Sequence, residues 1–411
     1  MISVKAEIGL DLGDATPIGF KLDDPVRGVL GNLNYVLGGT LFYDISDRLL
    51  SLSTNRGKSQ ALDRTDAGTT TLSLDNSDRT FDPLYSEGPY FGALVPRREV
   101  RITANDEPVF YGFIEDFDLQ YEPGNRSTVR IDASDGFSVL ANALIIELDP
   151  PSELAGARVT RVLDLAEVNW PAANRQIEDG NSILLDSSVT NSAALEYLQN
   201  VANSEFGNLF ISKDGDLVFK ERNSATTAPD LIFSDDPAPS VSTKIPFASV
   251  EAIYGSENLY TRIELANTDV IPEAVSAENT TATTLYGVRT YSNTGLLVES
   301  PTELQDLANL LLATYEAPLF RFESVEVIMD KLDETQTAAI LDLEIGDIVQ
   351  VRFQPSNIPP AIELPARIIG ISHNWEPVIR RVSFTLETLN LGVFVLDSPL
   401  FGELDNDRLG Y

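Results

Sequence analysis

The side chains that carry most enzyme chemistry are almost missing from this chain, and those present are spaced for structure. His373 is the single histidine, and there is no cysteine. An HExxH zinc site needs two histidines one helical turn apart, and a Ser–His–Asp triad has no candidate base except His373. That residue sits in ARIIGISHNW, an alternating β pattern where a hydrogen-bonded structural histidine is the simpler reading. Thiol nucleophiles, disulfides and cysteine-based metal sites are excluded outright. Neither GxxxxGK(S/T) nor GxSxG occurs.

Acidic residues number 63, so carboxylate pairs suited to glycoside hydrolysis can be drawn at many positions and are specific at none. The tightest acidic group is Asp75, Asp78 and Asp82 in LDNSDRTFD. Its spacing is not that of an EF-hand, whose loop needs a glycine at its sixth position, and a polar turn between strands accounts for it better. SKDGDL reads as a hairpin tip rather than a metal loop. Trp170, Trp375 and Tyr90 could form a sugar-binding platform, although packing in a core or interface is the plainer role. No catalytic, cofactor-binding or metal-binding residue is therefore assigned, no cofactor is expected, and the chain is expected not to be an enzyme.

The elements that would position these residues are mostly strands. At 411 residues the chain is long enough for two to four domains, and 43% apolar content supports real cores. No apolar stretch of 18 residues or more occurs, so no stable membrane insertion is expected. The opening MISVKAEIGLDLGDATPIGF lacks a basic region followed by an apolar run, which argues against a secretory signal. The formal net charge is −34, with no basic footprint for sequence-specific nucleic-acid binding. Solubility or adaptation to salt explains such a balance simply. A surface that must not adhere to a polyanion explains it functionally, because duplex DNA carries about one negative charge per ~1.7 Å.

Through residue 135, period-2 alternation places Leu72 and Leu74, Val100 and Ile102, Phe117, Leu119 and Tyr121, and Val129 and Ile131 on strand faces. Asn105-Asp106 and Pro123-Gly124-Asn125 are turn signals. FSVLANAL predicts a short helix with Phe137, Leu140 and Leu144 on one stripe. ARVTRVLDLAEV and SAALEYLQNVANSE predict two more, the latter with Leu195, Leu198 and Ala202 inward and Gly207 as its stop. NLFISKDGDLVFKER is a hairpin turning at Asp214-Gly215. The Ser-, Thr-, Pro- and Asp-rich stretch 224–246 reads as a linker or long connection. Beyond it, Ser300, Pro301 and Glu303 begin a helix with a capping box. Its apolar face is Leu304, Leu307, Ala308, Leu311 and Tyr315, and Pro318 lies just past its end. Four strands follow, in FESVEVIMD, DIVQVRF, ARIIGISHNW and RRVSFTLETL.

Two internal similarities stand out. REVRIT, VFYGFIEDFDLQYEPG and STVRIDAS echo DIVQVRF, ARIIGISHNWEP and RRVSFTLE, with Gly112 matching Gly370 and Glu122-Pro123 matching Glu376-Pro377. The distance from glycine to Glu-Pro differs by four residues between the copies. Chance agreement of β patterns and duplication of one β-domain both account for this. FKLDDPVRGVLGN at 20–32 and FVLDSPLFGELDN at 394–406 agree at seven of thirteen positions. This repeat reads either as a capping turn on a duplicated domain or as arms that dock on neighbouring subunits.

The stretch RGKSQALDRTDAGTTTLSLDNSDRTFDPL resembles a signature of minor tail and baseplate-hub proteins of long-tailed bacteriophages. The matching residues are Arg56, Gly57, Lys58, Ala67, Gly68, Asn76, Asp78, Phe81, Asp82 and Pro83. PYFGALVPRREVRI, VFYGFIEDF, DLEIGDIVQVRF and RIIGISHNW extend the resemblance over most of the chain, while the insertion at 12–40 departs from it. The resemblance implies a mainly β fold with α+β insertions, containing two tail-tube-like antiparallel β-barrel or sandwich domains and a smaller α+β domain. It implies a structural protein of the virion tail tip, assembled in the host cytoplasm, in which three copies form a ring that lets DNA pass. Tail tube or distal tail protein, tape measure protein and other tip proteins are the implied partners. Some relatives append a lysozyme or peptidase; with its end at Tyr411, none is expected here. A receptor- or glycan-binding minor tail protein is the alternative. The expected division is 1–146 for the first tube-like domain, 147–225 for the α+β domain, 226–246 for the linker, 247–393 for the second tube-like domain and 394–411 for an extended end.

Overall fold

The computed structural model describes residues 2–10, 40–124, 126–222, 231–236, 244–267 and 274–389, with 25, 224, 229, 393–394 and 408–409. The repeated segments 20–32 and 394–406, the insertion at 12–40 and the end at 394–411 fall almost wholly outside the described residues.

Among the described residues, fourteen strands join in one sheet. The first seven are β1 (Val4–Leu10), β2 (Leu41–Asp44), β3 (Leu49–Gly57), β4 (Asp66–Asp75), β5 (Glu99–Ala104), β6 (Glu107–Gln120) and β7 (Thr128–Ser134). The others are β8 (Leu231–Ser234), β9 (Lys244–Pro246), β10 (Ser249–Tyr254), β11 (Phe320–Ile328), β12 (Ile348–Phe353), β13 (Ile362–Trp375) and β14 (Arg380–Thr388). The main path runs β9-β8-β12-β13-β3-β4-β7-β6-β5-β1-β2, and β14, β11 and β10 branch in turn from β13. The path does not return on itself, so no closed barrel occurs among the described residues. The fold is mainly β, built on this large sheet with small α+β sheets beside it.

The two halves repeat one strand order, β3-β4-β7-β6-β5 and β10-β11-β14-β13-β12. Their ladders carry a bulge at the same place, Glu115 against β7 and Ile369 against β14. Superposing these two residues also brings Glu122-Pro123 onto Glu376-Pro377. The glycine match read from sequence is therefore four residues out of register. A bulge adds one unpaired residue and leaves no sequence mark of its own, so only the Glu-Pro pair carried the true alignment. Strand β13 joins the halves: one edge pairs with β14, while the other pairs with β12 over its first half and β3 over its second. A single apolar core, including Leu72, Ile131, Phe322 and Phe384, runs beneath both halves.

Two satellite cores flank it. Helices α1 (Phe137–Asn142), α2 (Ala155–Leu163) and α3 (Ala194–Glu205) cover a three-stranded sheet formed by Arg175–Ile177, Asn208–Ile211 and Leu217–Lys220. Helices α4 (Thr280–Tyr286) and α5 (Pro301–Tyr315) accompany Arg262–Leu265, Val275–Glu278 and Thr290–Asn293. The α5 stripe is buried as its spacing requires, and Ser300 caps Glu303 N at 3.3 Å. Glu303 instead points its carboxylate toward Arg222, at 3.8 Å. A complete capping box forms where it was not expected, between Asp333 and Gln336 at the start of α6 (Glu334–Asp342).

Several expectations need correction. Part of the linker is core sheet: β8 pairs in parallel with β12, and Phe233 is fully buried against Phe384 at 5.3 Å. Helix α1 stops at Asn142, and Leu144 starts a strand with its side chain exposed. The left-handed residue ending α3 is Phe206, at φ 55°. Gly207 serves a close approach instead, because a Cβ there would lie 2.5 Å from Lys220 O.

Candidate functional site

The chemically suggestive residues are consumed by structure. His373 Nδ1 lies 3.0 Å from Thr54 Oγ1, and its ring packs edge-on to Trp375 at 5.0 Å. Burial, with nearby Arg56 and Lys213, holds its pKa down to about 3, so the imidazole is neutral and sealed between β3 and β13. Asp75 accepts the Ser77 backbone N–H at 3.0 Å, and Asp82 pairs with Arg79 at 2.7 Å. Asp78 receives two bonds from Arg48, at 2.9 and 2.8 Å, which pull its carboxyl well below the usual range. The three carboxylates thus face three different partners. Trp170 and Trp375 are 9% and 3% exposed, and Tyr90 packs between Phe81 and Tyr43, so none offers a platform to a sugar.

The Arg56–Pro83 signature divides into two devices. Its second half is a turn built around Asn76, a fully buried residue whose Oδ1 accepts Phe81 N at 2.9 Å. That bond seats Phe81 in the core, while Asp82 accepts Leu84 N and leaves Pro83 exposed. Its first half is the point where three parts of the molecule meet. Arg56, 3% exposed, donates to Glu344 Oε1 at 2.9 Å and to Ile211 O at 3.3 Å. Gly57 takes φ +98°, and a Cβ would lie 2.3 Å from Ile369 O, so only glycine lets β3 meet β13 here. Lys58 N then donates to Ile369 O at 2.9 Å, and its Nζ to Ala61 O at 2.8 Å. Gly68 N donates to Asp135 Oδ2 at 2.7 Å, with Arg56 Cγ 3.0 Å from where its Cβ would stand. Ala67 packs on the α+β core.

The hairpin at Asp214-Gly215 is the third arm of this joint. Lys213 N donates to Glu344 Oε2 at 2.8 Å, and Lys213 Nζ to the last carbonyls of α6, Leu341 O and Asp342 O. Gly215, at φ +92°, abuts the Tyr111 ring on β6. The Glu344 carboxylate, which nothing in the sequence singled out, therefore ties Arg56 of the first half, Lys213 of the α+β unit and its own Ile345 N–H together. Asp135 sits beside them. Burial pushes its carboxyl up to about 7, against two backbone N–H bonds and Arg56.

On its solvent side the sheet presents one polar surface across eight strands, in the order β10-β11-β14-β13-β3-β4-β7-β6. One cross-strand row reads Glu326–Ser383–Ser372–Asn55–Thr69–Ser134. A second reads Arg381–Asn374–Ser53–Thr71–Asp132–Asp116. The centre is hydroxyl and amide. Four arginines of the face each have an acidic partner: Arg381 with Glu326 at 2.6 Å, Arg130 with Asp132 at 2.8 Å, Arg321 with Glu257 at 2.7 Å and Arg367 with Glu387 at 3.8 Å. Asp116, Asp118 and Glu251 add further negative charge. Among the described residues, such a surface offers hydrogen-bonding groups and negative charge, with its arginines engaged by carboxylates.

No protein-family model matches the chain, and no curated protein matches it in sequence. Its fold is similar to solved phage tail proteins. A tail protein from Neisseria meningitidis MC58 superposes with TM-score 0.60 at 11% identity, covering 94% of this chain and 96% of that one. The 43 kDa tail protein of prophage MuSo2 from Shewanella oneidensis gives TM-score 0.54 at 12% identity, covering 84% and 94%. At such identities the likeness speaks to fold.

Proposed function

We propose that the chain is a structural, non-enzymatic subunit of a phage tail tip, in which three copies form a ring joining tail tube to tip and DNA passes through. The observation that carries this reading is the sheet that crosses both halves with one continuous, cation-neutralised polar face. The likeness of fold to tail proteins over nearly the whole length supports it. In this reading the halves are two tube-like modules, 1–146 and 247–393, with the α+β domain at 147–225 beside their joint. Eight strands per copy at ~4.8 Å spacing give a wall about 115 Å around for three copies, or about 37 Å across between backbones. The acidic excess then keeps DNA sliding rather than bound. Tail tube or distal tail protein and tape measure protein are the neighbours the reading calls for, and the virion tail tip is the location.

Native mass measurement of the purified chain, with imaging of tail tips, tests the proposal. A species of three chain masses forming a closed ring at the tip supports it. A strict monomer that never enters tail tips overturns it. For the receptor- or glycan-binding alternative, Trp170 and Trp375 are buried and Tyr90 is half-buried against Phe81 and Tyr43, which leaves it the weaker reading.

A further inference from the structure

The joint between the two halves has an unfilled counterpart. Inside the chain, edge strand β3 pairs with the second half of β13, opposing Leu52 to Trp375, Thr54 to His373 and Arg56 to Ile371. The strand orders and bulges make β6 the equivalent of β13, and β10 the equivalent of β3. Bulge on bulge, Phe117, Leu119 and Tyr121 correspond to Ile371, His373 and Trp375. Ladder on ladder, Val250, Ala252 and Tyr254 correspond to Leu52, Thr54 and Arg56. Yet β5 covers only the first half of β6, and among the described residues no strand pairs with the same edge beyond Ile114. Among the described residues strand β10, too, pairs only with β11.

The burial of these equivalents differs in the way a missing neighbour requires. Ile371, His373 and Trp375 are 3%, 6% and 3% exposed beneath β3. Phe117 and Leu119 are half-buried, and Tyr121 is 55% exposed. Arg56 is 3% exposed, whereas Tyr254 is 71% exposed. Bare strand edges and exposed aromatics beside them both invite another chain.

We propose that β10 of one copy pairs antiparallel with the second half of β6 of the next copy, repeating between subunits the seam that β3 and β13 make within one. Tyr254 then lies opposite Phe117, Ala252 opposite Leu119 and Val250 opposite Tyr121. The contact is head-to-tail, so it forms a ring when its rotation closes. It continues the eight-strand polar face from copy to copy without a break. This inference rests on the ring reading above and specifies which edges close it.

The absence of native cysteine makes the test direct. The double variant Ala252→Cys/Leu119→Cys places two thiols directly opposite in the proposed register, where a disulfide spans Cα atoms about 5.5–6 Å apart. Mild oxidation of the assembled protein is expected to link subunits into a reducible ladder ending at the ring number. The double variant Ala252→Cys/Asp118→Cys, one residue out of register, is expected to link at least tenfold more slowly. Rings that form normally but never link through 252 and 119 overturn the seam and leave the ring reading standing. A disulfide within single chains also overturns it. A wild-type chain that stays monomeric at every concentration and is absent from tail tips overturns both.

Discussion

Replacing Arg56 by methionine probes the joint at its centre. The substitution keeps a long, flexible side chain in the space while removing the guanidinium that bonds Glu344 at 2.9 Å and Ile211 O at 3.3 Å. Deleting one partner of a buried ion pair costs about 3–5 kcal/mol when the other charge is left unpaired. Glu344 is 17% exposed and keeps the Lys213 and Ile345 N–H bonds, so its stranded charge is partly satisfied. The expected loss is therefore below that range, about 2–3 kcal/mol. Urea unfolding should show a lower midpoint at unchanged slope. Adding Glu344→Gln removes the stranded charge, so the double variant should recover about 1 kcal/mol relative to Arg56→Met alone. A loss under about 0.5 kcal/mol for Arg56→Met would refute the view that this pair holds the three parts together.

Gly57→Ala should cost more than an ordinary glycine substitution, about 2–4 kcal/mol, because it combines positive φ with a backbone contact that cannot yield; thermal unfolding measures it, and a shift within ±0.5 kcal/mol would contradict the close approach. Asn76→Ala should cost about 1–3 kcal/mol through the orphaned Phe81 N–H, with raised proteolysis within 77–96 as the local readout. Asp135 sets a pH dependence. Its folded pKa is raised to about 7, so the folded state holds this proton more tightly than the unfolded chain. Its contribution is full below the unfolded value near 4, fades as pH rises from about 4 to about 7, and is gone above. Wild-type stability should therefore carry a downward component over that window which Asp135→Asn lacks; parallel pH profiles for the two proteins would contradict it.

Much of this architecture could be read from residue patterns, and the misses have physical causes. Alternation found the strands because each buries one face. Ser300-Pro301 and the Leu304–Tyr315 stripe marked α5 because cap and periodicity agree there. Helix α4 went unseen because TTATT is β-branched and weak in helix propensity, and the Asn279 cap with its two N–H bonds carries the start. Helix α6 was hidden between strands although Asp333 and Gln336 form its capping box. Strand β8 was lost in a run of Ser, Thr, Pro and Asp whose composition outweighed the short LIF core. The Arg-Gly-Lys motif was recognisable as a signature, but its work was not. Glu344, Lys213 and Ile369 lie far away in sequence, and only the fold brings them to Arg56 and Gly57.

The central claim is tested most directly by an image of the isolated tail tip at a resolution that separates subunits. Three copies in a closed ring are expected, with the row through Ser372, Asn55 and Thr69 facing the lumen. A tip that lacks the chain, a ring of another copy number, or that row turned outward would contradict the account.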